Sequence, residues 1–313
     1  MRLVVTGGLG FIGSSFVRNS LRGRFDSLNI EKLTILDSRT YAANEAALEE
    51  TIKSTKLEIV ELDICDCDQV SKIVKKNDAV VHFAAESHVD NSINEPGLFL
   101  QTNILGTYSL LKAVSGTGKR LVCVSTDEVY GSIDSGSADE NYNLKPSSPY
   151  SSSKASADLI ALSFHHTYGD DVCISRGANT YGPYQNREKL IPNIIHRLNK
   201  NMKISLYGDG TNIREWVHVD DHAEAISIIL TRGKSGNVYN ITGDETFSNL
   251  ELSQMLLTYF NKGLENVEFV KDRLGHDFRY SQNSDKIRES LNWRPKRNFK
   301  DSISEIVDSM RRY

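Results

Sequence analysis

The chain has 313 residues, enough for two lobes and a large core that needs neither disulfides nor metals to hold it. Lys plus Arg total 37 against 41 Asp plus Glu, a net charge of −4, which excludes a nucleic-acid clamp or an anionic-membrane binder built on concentrated positive charge. Hydrophobic residues at 39% and charged residues at 25% exclude wholesale disorder.

Residues 2–6 (RLVVT) read as a strand, not a signal peptide, and run into Thr6-Gly7-Gly8-Leu9-Gly10-Phe11-Ile12-Gly13, where a helix over 11–22 opens. Gly8, Gly10 and Gly13 satisfy GxGxxG, while Gly7, Gly10 and Gly13 give a wider GxxGxxG. Such a turn lets backbone approach a pyrophosphate and sets a helix N-terminus against it. The next strand, 33–37 (LTILD), ends on Asp37, 24 residues after Gly13. A carboxylate there accepts from a ribose 2′-hydroxyl and repels a 2′-phosphate, favouring NAD over NADP. Arg39 nearby weakens that discrimination slightly. Asp63, in LDICD after strand 57–61, reads equally as a contact to the adenine or as a helix N-cap.

Helical spacing at 44–54, 66–76, 97–115 and 149–168 alternates with strands at 79–83, 120–125 and 171–176. This rhythm predicts an α/β domain with a doubly wound parallel sheet. The polar segment 131–147 reads as a loop on the site's rim. After Arg176 the pattern loosens into a helix at 190–200, strands at 203–207 and 214–219, a helix at 220–232, a strand at 237–241 and helices at 249–261, 284–291 and 300–311. The expected division is a dinucleotide-binding domain over 1–176, with segments near 214–242 returning to it. A smaller mixed α/β substrate lobe would span 177–213 and 243–313.

Two constellations carry chemistry. Tyr150-Ser-Ser-Ser-Lys154 opens a helix, so the phenol and the ammonium share one face. Lowering a tyrosine from its usual ~10 by ~3 units takes roughly 4 kcal/mol, which a neighbouring ammonium can supply. Ser125-Thr126-Asp127-Glu128 closes a strand at the edge where such sheets bind ligands, and its paired carboxylates suggest divided acid and base duties. Cys65, Cys67, Cys123 and Cys173 lack zinc spacing and read as packed or incidental thiols, so no metal is expected. His82 and His88 read as loop-orienting residues, and His165-His166 as surface. No apolar run approaches the ~20 residues of a membrane span, so a soluble, cytoplasmic protein is expected.

Together, the glycine turn, HFAAESHVD (82–90), STDEVYG (125–131), SPYSSSK (148–154), YGPYQ (181–185), EKLIP (188–192) and REWVHVDDH (214–222) resemble the nucleotide-sugar 4,6-dehydratases among extended short-chain dehydrogenase/reductases. The resemblance covers essentially the whole chain. It implies a tightly held NAD contacted by Gly7, Gly10, Phe11, Ile12, Gly13, Asp37, Asp63, Ile64, Ala84, Tyr150 and Lys154. It implies Tyr150 as the base that takes a sugar C4 hydroxyl proton, Thr126 bonded to that oxygen, Glu128 removing the C5 proton and Asp127 protonating the departing C6 oxygen. Lys154 would lower the Tyr150 pKa and hold the nicotinamide ribose. Substrate contacts would come from Ser87, Asn179, Glu188, Lys189, Leu190, Tyr207, Arg214, Asn249, Arg273, His276 and Tyr280, the two arginines suiting phosphate. The implied substrate is glucose carried on thymidine diphosphate. The alternative is a UDP-sugar dehydratase, epimerase or decarboxylase of the same family. A homodimer through 97–115 and 149–168 is also implied. Two departures stand out: Gly177-Ala178 where the family has Cys-Ser, and Leu274 where proline is common.

Overall fold

The computed structural model describes residues 1–310. The short β-branched runs of the first half become β1 (Arg2–Thr6), β2 (Lys32–Asp37), β3 (Leu57–Glu61), β4 (Ala79–His82), β5 (Arg120–Thr126) and β6 (Val172–Gly177). Among them lie α1 (Phe11–Leu21), α2 (Cys67–Val74), α3 (Val89–Asn94), α4 (Pro96–Phe99), α5 (Gly106–Val114) and α6 (Pro149–Tyr168). The second half adds β7 (Asn179–Tyr181), α7 (Leu190–Asn199), β8 (Ile204–Tyr207), β9 (Ile213–His218), α8 (Val219–Arg232) and β10 (Val238–Ile241). It ends with β11 (Glu245–Ser248), α9 (Asn249–Tyr259), β12 (Val267–Val270), α10 (Asp285–Leu291) and α11 (Phe299–Met310). The last residue of the helix expected over 300–311 lies outside the described residues.

Seven strands form one all-parallel sheet in the order β10-β6-β5-β4-β1-β2-β3. This is the doubly wound sheet that the strand–helix rhythm predicts. Period-two burial explains why it has helices on both faces. Leu3 and Val5 of β1 join the apolar cluster of α1 and α8, whereas Val4 between them joins that of α2, α5 and α6. Each fully buried Leu or Val contributes about 1.5–3 kcal/mol. Chain order reverses between β1 and β4, which opens a crevice at the carboxyl ends of the strands.

Beyond the sheet, β7 pairs parallel with β9 and β11 antiparallel with it, while β8 pairs with β12. Of the segments near 214–242, α8 and β10 lie on the large sheet and β9 does not. A third apolar cluster, with Ile191, Ile195, Leu252, Leu256, Phe299 and Ile303, holds this second group of elements together.

The helix expected over 44–54 is only a 3-10 turn at Glu45–Leu48. Ala47 and Leu48 are buried, but Ile52, four residues on, is exposed, so no apolar stripe exists to hold a longer helix. Helix α6 is well specified locally. Ser148 and Ser151 form a capping box, Pro149 sits in the first turn, and Gly169 ends the helix at φ 73°. Between α4 and α5 the chain passes through a π-turn at Leu100–Leu105. There Asn103 turns inward, donating to Glu86 O at 3.0 Å and to Ser153 Oγ at 2.8 Å, and accepting from Glu86 N–H at 2.9 Å. It thereby ties the β4–α3 loop to α6 just behind the crevice.

Candidate active site

The crevice is a cleft of about 460 Å³. Its floor is the glycine turn: Gly7, Gly10, Phe11, Ile12 and Gly13 all line it. Two of the glycines are required by space. Gly7 has φ +67°, and a Cβ there would sit 2.5 Å from Ala84 N; one on Gly13 would sit 2.2 Å from Gly7 O. Gly10, the N-cap of α1, has no side chain to occupy the helix's first N–H groups, which therefore face the cleft.

At the far end of the turn, Asp37 Oδ2 accepts from Leu9 N–H at 3.0 Å and Oδ1 from Arg39 N–H at 2.9 Å. The Arg39 guanidinium turns instead to Glu45 and Glu61. It is thus turned toward two acids. Asp63 is not a helix cap: it accepts from Cys65 N–H at 2.9 Å, and Asp66 caps α2 through Gln69 N–H. Ile64 is buried against Gly106, away from the cleft, and Ala84 packs on Gly7 and donates to Thr6 Oγ1 at 3.3 Å. His82 is locked neutral between Thr6 and Thr107, its pKa pushed down to about 3 by burial and then by Lys154.

Across the cleft, the end of β5 and the start of α6 bring Ser125, Thr126, Asp127, Glu128, Tyr150 and Lys154 to one wall. Thr126 is the hub: its hydroxyl donates to Asp127 Oδ1 at 3.2 Å, accepts from Glu128 N–H at 3.3 Å and favours ionisation of the Tyr150 phenol. Burial, then the Glu128 charge, holds the Tyr150 phenol well above its ordinary range. Lys154 is also buried and donates to Val124 O at 2.7 Å, with Asp158 as its charge partner. The expectation that Lys154 depresses Tyr150 is therefore not met; its ammonium is held on the sheet by Val124 O, and Asp158, which favours its charge, is ion-paired with Arg176 at 2.9 Å.

The carboxylates that sequence alone cannot tell apart have different neighbours. Asp127 is 3% exposed, its Oδ2 has no hydrogen-bond partner, and burial, Glu128 and Glu215 together push it well above the carboxylate range. Glu128 is raised by burial too, but Arg273, Arg214 and Lys189 pull it back. Cations on one side and a second buried acid on the other separate a proton donor from a proton acceptor.

Of the expected substrate contacts, Ser87, Asn179, Glu188 and Lys189 line the cleft. Lys189 Nζ donates to Ser87 O at 2.9 Å, and Tyr41 donates to Glu188 at 3.4 Å, so the loop before α7 is strapped across the mouth. Leu190 instead packs into the small-lobe core. Arg214 does not line the cleft. It stacks on Tyr280 at 4.1 Å and donates to the carbonyls of Ile213, Asp277 and Phe278, which makes it a backbone clamp. Tyr207 donates to Asp90 at 3.2 Å and meets the ring of His276 edge-on, while His276 pairs with Asp272 at 2.7 Å. Asn249 opens α9, its N–H bonded to Asn212 O at 3.0 Å.

Several lining residues went unforeseen: Tyr41, Asn44, Thr180, Gln185, Trp216 and His222. Trp216 and His222 lie inside the quoted REWVHVDDH, but only the fold turns them inward. Ser125 Oγ, Asn179 Nδ2, Trp216 Nε1 and His222 Nε2 are buried without partners, leaving polar atoms for a ligand. His222 also accounts for Gly177, where a Cβ would meet the imidazole at 2.3 Å. Leu274 is exposed, and nothing in the structure explains its replacement of proline. The glycine floor, the α1 N-terminus, Asp37 and these orphaned atoms fit a dinucleotide with a polar second ligand.

A family model described as GDP-mannose 4,6 dehydratase matches residues 4–306. A dTDP-glucose 4,6-dehydratase from Streptomyces niveus is 45% identical over 98% of this chain and 92% of its own length. The crystal structure of DesIV, a dTDP-glucose 4,6-dehydratase from Streptomyces venezuelae solved with NAD bound, superposes with a TM-score of 0.97 at 47% identity, covering 100% of this chain and 97% of that one. UDP-glucuronic acid 4-epimerase from Bacillus cereus shares the fold at a TM-score of 0.92, covering 100% and 99% of the two chains, but only 25% of the residues.

Proposed function

We propose that this chain, which belongs to the GDP-mannose 4,6 dehydratase family, converts dTDP-glucose to dTDP-4-keto-6-deoxyglucose with NAD as a recycled cofactor. It is an NAD-dependent lyase. The observation that carries the reading is the buried Asp127 carboxyl, bonded to Thr126, beside a Glu128 faced by cations on the wall that also carries Tyr150. An epimerase or decarboxylase expels no C6 oxygen, so it needs no leaving-group acid beside the C5 base.

The sugar's C5 proton is too weakly acidic to remove until C4 is a ketone. The glycine turn, Asp37 and the Lys154 N–H groups not given to Val124 O would hold NAD, which would supply the acceptor for the C4 hydride and the donor that returns it at C6. Tyr150 takes the C4 hydroxyl proton, with Thr126 bonded to the same oxygen; the positive charge of oxidised NAD beside the phenol would favour the phenolate that burial and Glu128 disfavour in the empty cleft. Glu128 removes the C5 proton, which the new ketone acidifies. Asp127 gives its proton to the C6 oxygen, and water leaves. Lys189 and Arg273 supply positive charge toward the diphosphate, with Ser87, Asn179, Glu188, Tyr207, Asn249, His276 and Tyr280 around the sugar and base. Asp37 excludes NADP, since a 2′-phosphate beside a carboxylate costs several kcal/mol. The lobe division is residues 1–176 with α8 and β10 for the dinucleotide, and the remainder for the nucleotide sugar.

The deciding assay offers dTDP-glucose and UDP-glucose separately and follows each by mass spectrometry. Loss of one water from dTDP-glucose is expected. Interconversion of UDP-sugars without dehydration would overturn the assignment in favour of an epimerase.

Two finer points belong to the same reading. The enzyme is a homodimer through α4–α5 and α6, supported by Leu98, Leu100, Leu105, Tyr108, Leu159 and Tyr168, all exposed there. Leu105→Glu combined with Leu159→Glu should sediment as a monomer; an unchanged dimer removes this face as the interface. It works in the cytoplasm, a placement supported by four unpaired cysteines, and no helix among the described residues is long and apolar enough to cross a membrane.

A further inference from the structure

A chain of three hydroxyl and carboxyl groups leads away from Glu128. Tyr280 Oη lies 3.5 Å from Glu128 Oε2 and donates to Asp277 Oδ2 at 2.9 Å. Ser147 Oγ donates to that same oxygen at 2.5 Å. Tyr280 and Asp277 are buried, whereas Ser147 is exposed on the 131–147 loop, so the chain runs from a half-buried, cleft-lining carboxylate through two buried groups to the outer surface. Arg214, stacked on Tyr280 and bonded to the carbonyls of Asp277 and Phe278, fixes its middle members. Asp127, on the same wall, starts no comparable chain: its Oδ2 has no hydrogen-bond partner.

We infer that Tyr280, Asp277 and Ser147 carry protons between Glu128 and solvent, so that the proton removed from C5 is exchanged before C5 is protonated again. The inference rests on Glu128 being the C5 base. Each hop balances. Glu128, neutral after taking the C5 proton, passes it to Tyr280 Oη as the Tyr280 proton moves to Asp277 Oδ2. Asp277 then releases a proton through the Ser147 hydroxyl to water. The reverse sequence brings a solvent proton to Glu128 and thence to C5 when C6 is reduced. No electron moves, and no proton is gained or lost overall.

The test is the isotopic content of the product formed in D2O from protiated dTDP-glucose. Wild type should place a solvent deuteron at C5 in nearly every product molecule. Asp277→Asn should return mostly protium to C5, because Glu128 then gives back the proton it took. Tyr280→Phe should do the same even if it also weakens substrate binding, since the ratio is read only in product that has formed. Residues with a merely structural role would slow turnover and leave that ratio alone. Wild-type deuterium content in both variants overturns the relay, as does a wild-type product that keeps protium at C5. C5 exchange persisting in Glu128→Gln would instead remove Glu128 as the base, a failure of the underlying reading.

Discussion

Tyr150→Phe should lower kcat by about 10²–10⁴-fold, the usual contribution of a positioned acid–base group, while leaving NAD binding close to wild type. The substitution removes one oxygen from a well-packed ring. Tyr150 meets Phe99 edge-on at 6.3 Å and packs in a small apolar cluster with Val89, contacts that phenylalanine keeps. What is lost is the hydroxyl whose ionisation Thr126 favours. Without it the C4 hydroxyl loses its proton acceptor, because Lys154 is held on Val124 O, Asp127 is itself a proton donor and Glu128 serves C5. Oxidation at C4 is the first step, so neither reduced cofactor nor dehydrated sugar should accumulate. Calorimetric NAD binding alongside product formation by mass spectrometry separates the two effects. A variant with normal turnover would show that the phenol is a spectator.

The parts of this machine that are local in sequence are the parts a reader of the sequence can find. A glycine turn, the acid ending β2, and a Tyr–Lys pair four apart each carry their geometry within one element, because strand period and helix period fix which residues share a face. The main sheet is legible for the same reason. Short strands are not: β7, β11 and β12 have three or four residues each, too few to show a period, and they exist because β9 and β8 offer edges to pair with. Nor is the division of labour between Asp127 and Glu128 visible locally. It is set by Glu215 beside Asp127 and Arg273 beside Glu128, which arrive from β9 and from the segment after β12. Arg214 and Lys154 mislead in opposite ways. Each has a residue type and a motif that suit a ligand or a neighbour, but tertiary packing commits one to three backbone carbonyls and the other to β5.

Asp127→Asn should have two consequences of opposite sign, both following from the burial of one carboxyl group. Catalytically, an amide cannot give a proton to the departing C6 oxygen, so dehydration should fall by about 10²–10⁴-fold. Oxidation at C4 should fall much less, because Tyr150 and Thr126 remain, and substrate-dependent NADH should therefore build up on the enzyme. Equal losses in both steps would make the role of Asp127 structural. In wild type, activity should decline as the pH climbs past the raised pKa of Asp127 and the acid is lost. For stability the direction is fixed by linkage. The folded pKa lies above the ordinary ~3.9 of an unfolded aspartate, so wild type keeps its full stability only below that value. As the pH rises toward the folded pKa it loses about 1.4 kcal/mol for every pH unit between them, because the unfolded chain releases a proton that the folded one retains. The asparagine variant carries no such penalty. The two proteins should melt at similar temperatures near pH 4, with the variant pulling ahead toward neutrality, and calorimetry across that interval reads the divergence. If the melting temperatures instead run parallel, Asp127 ionises as freely in the fold as in water, and the structure has prepared no acid for the leaving oxygen.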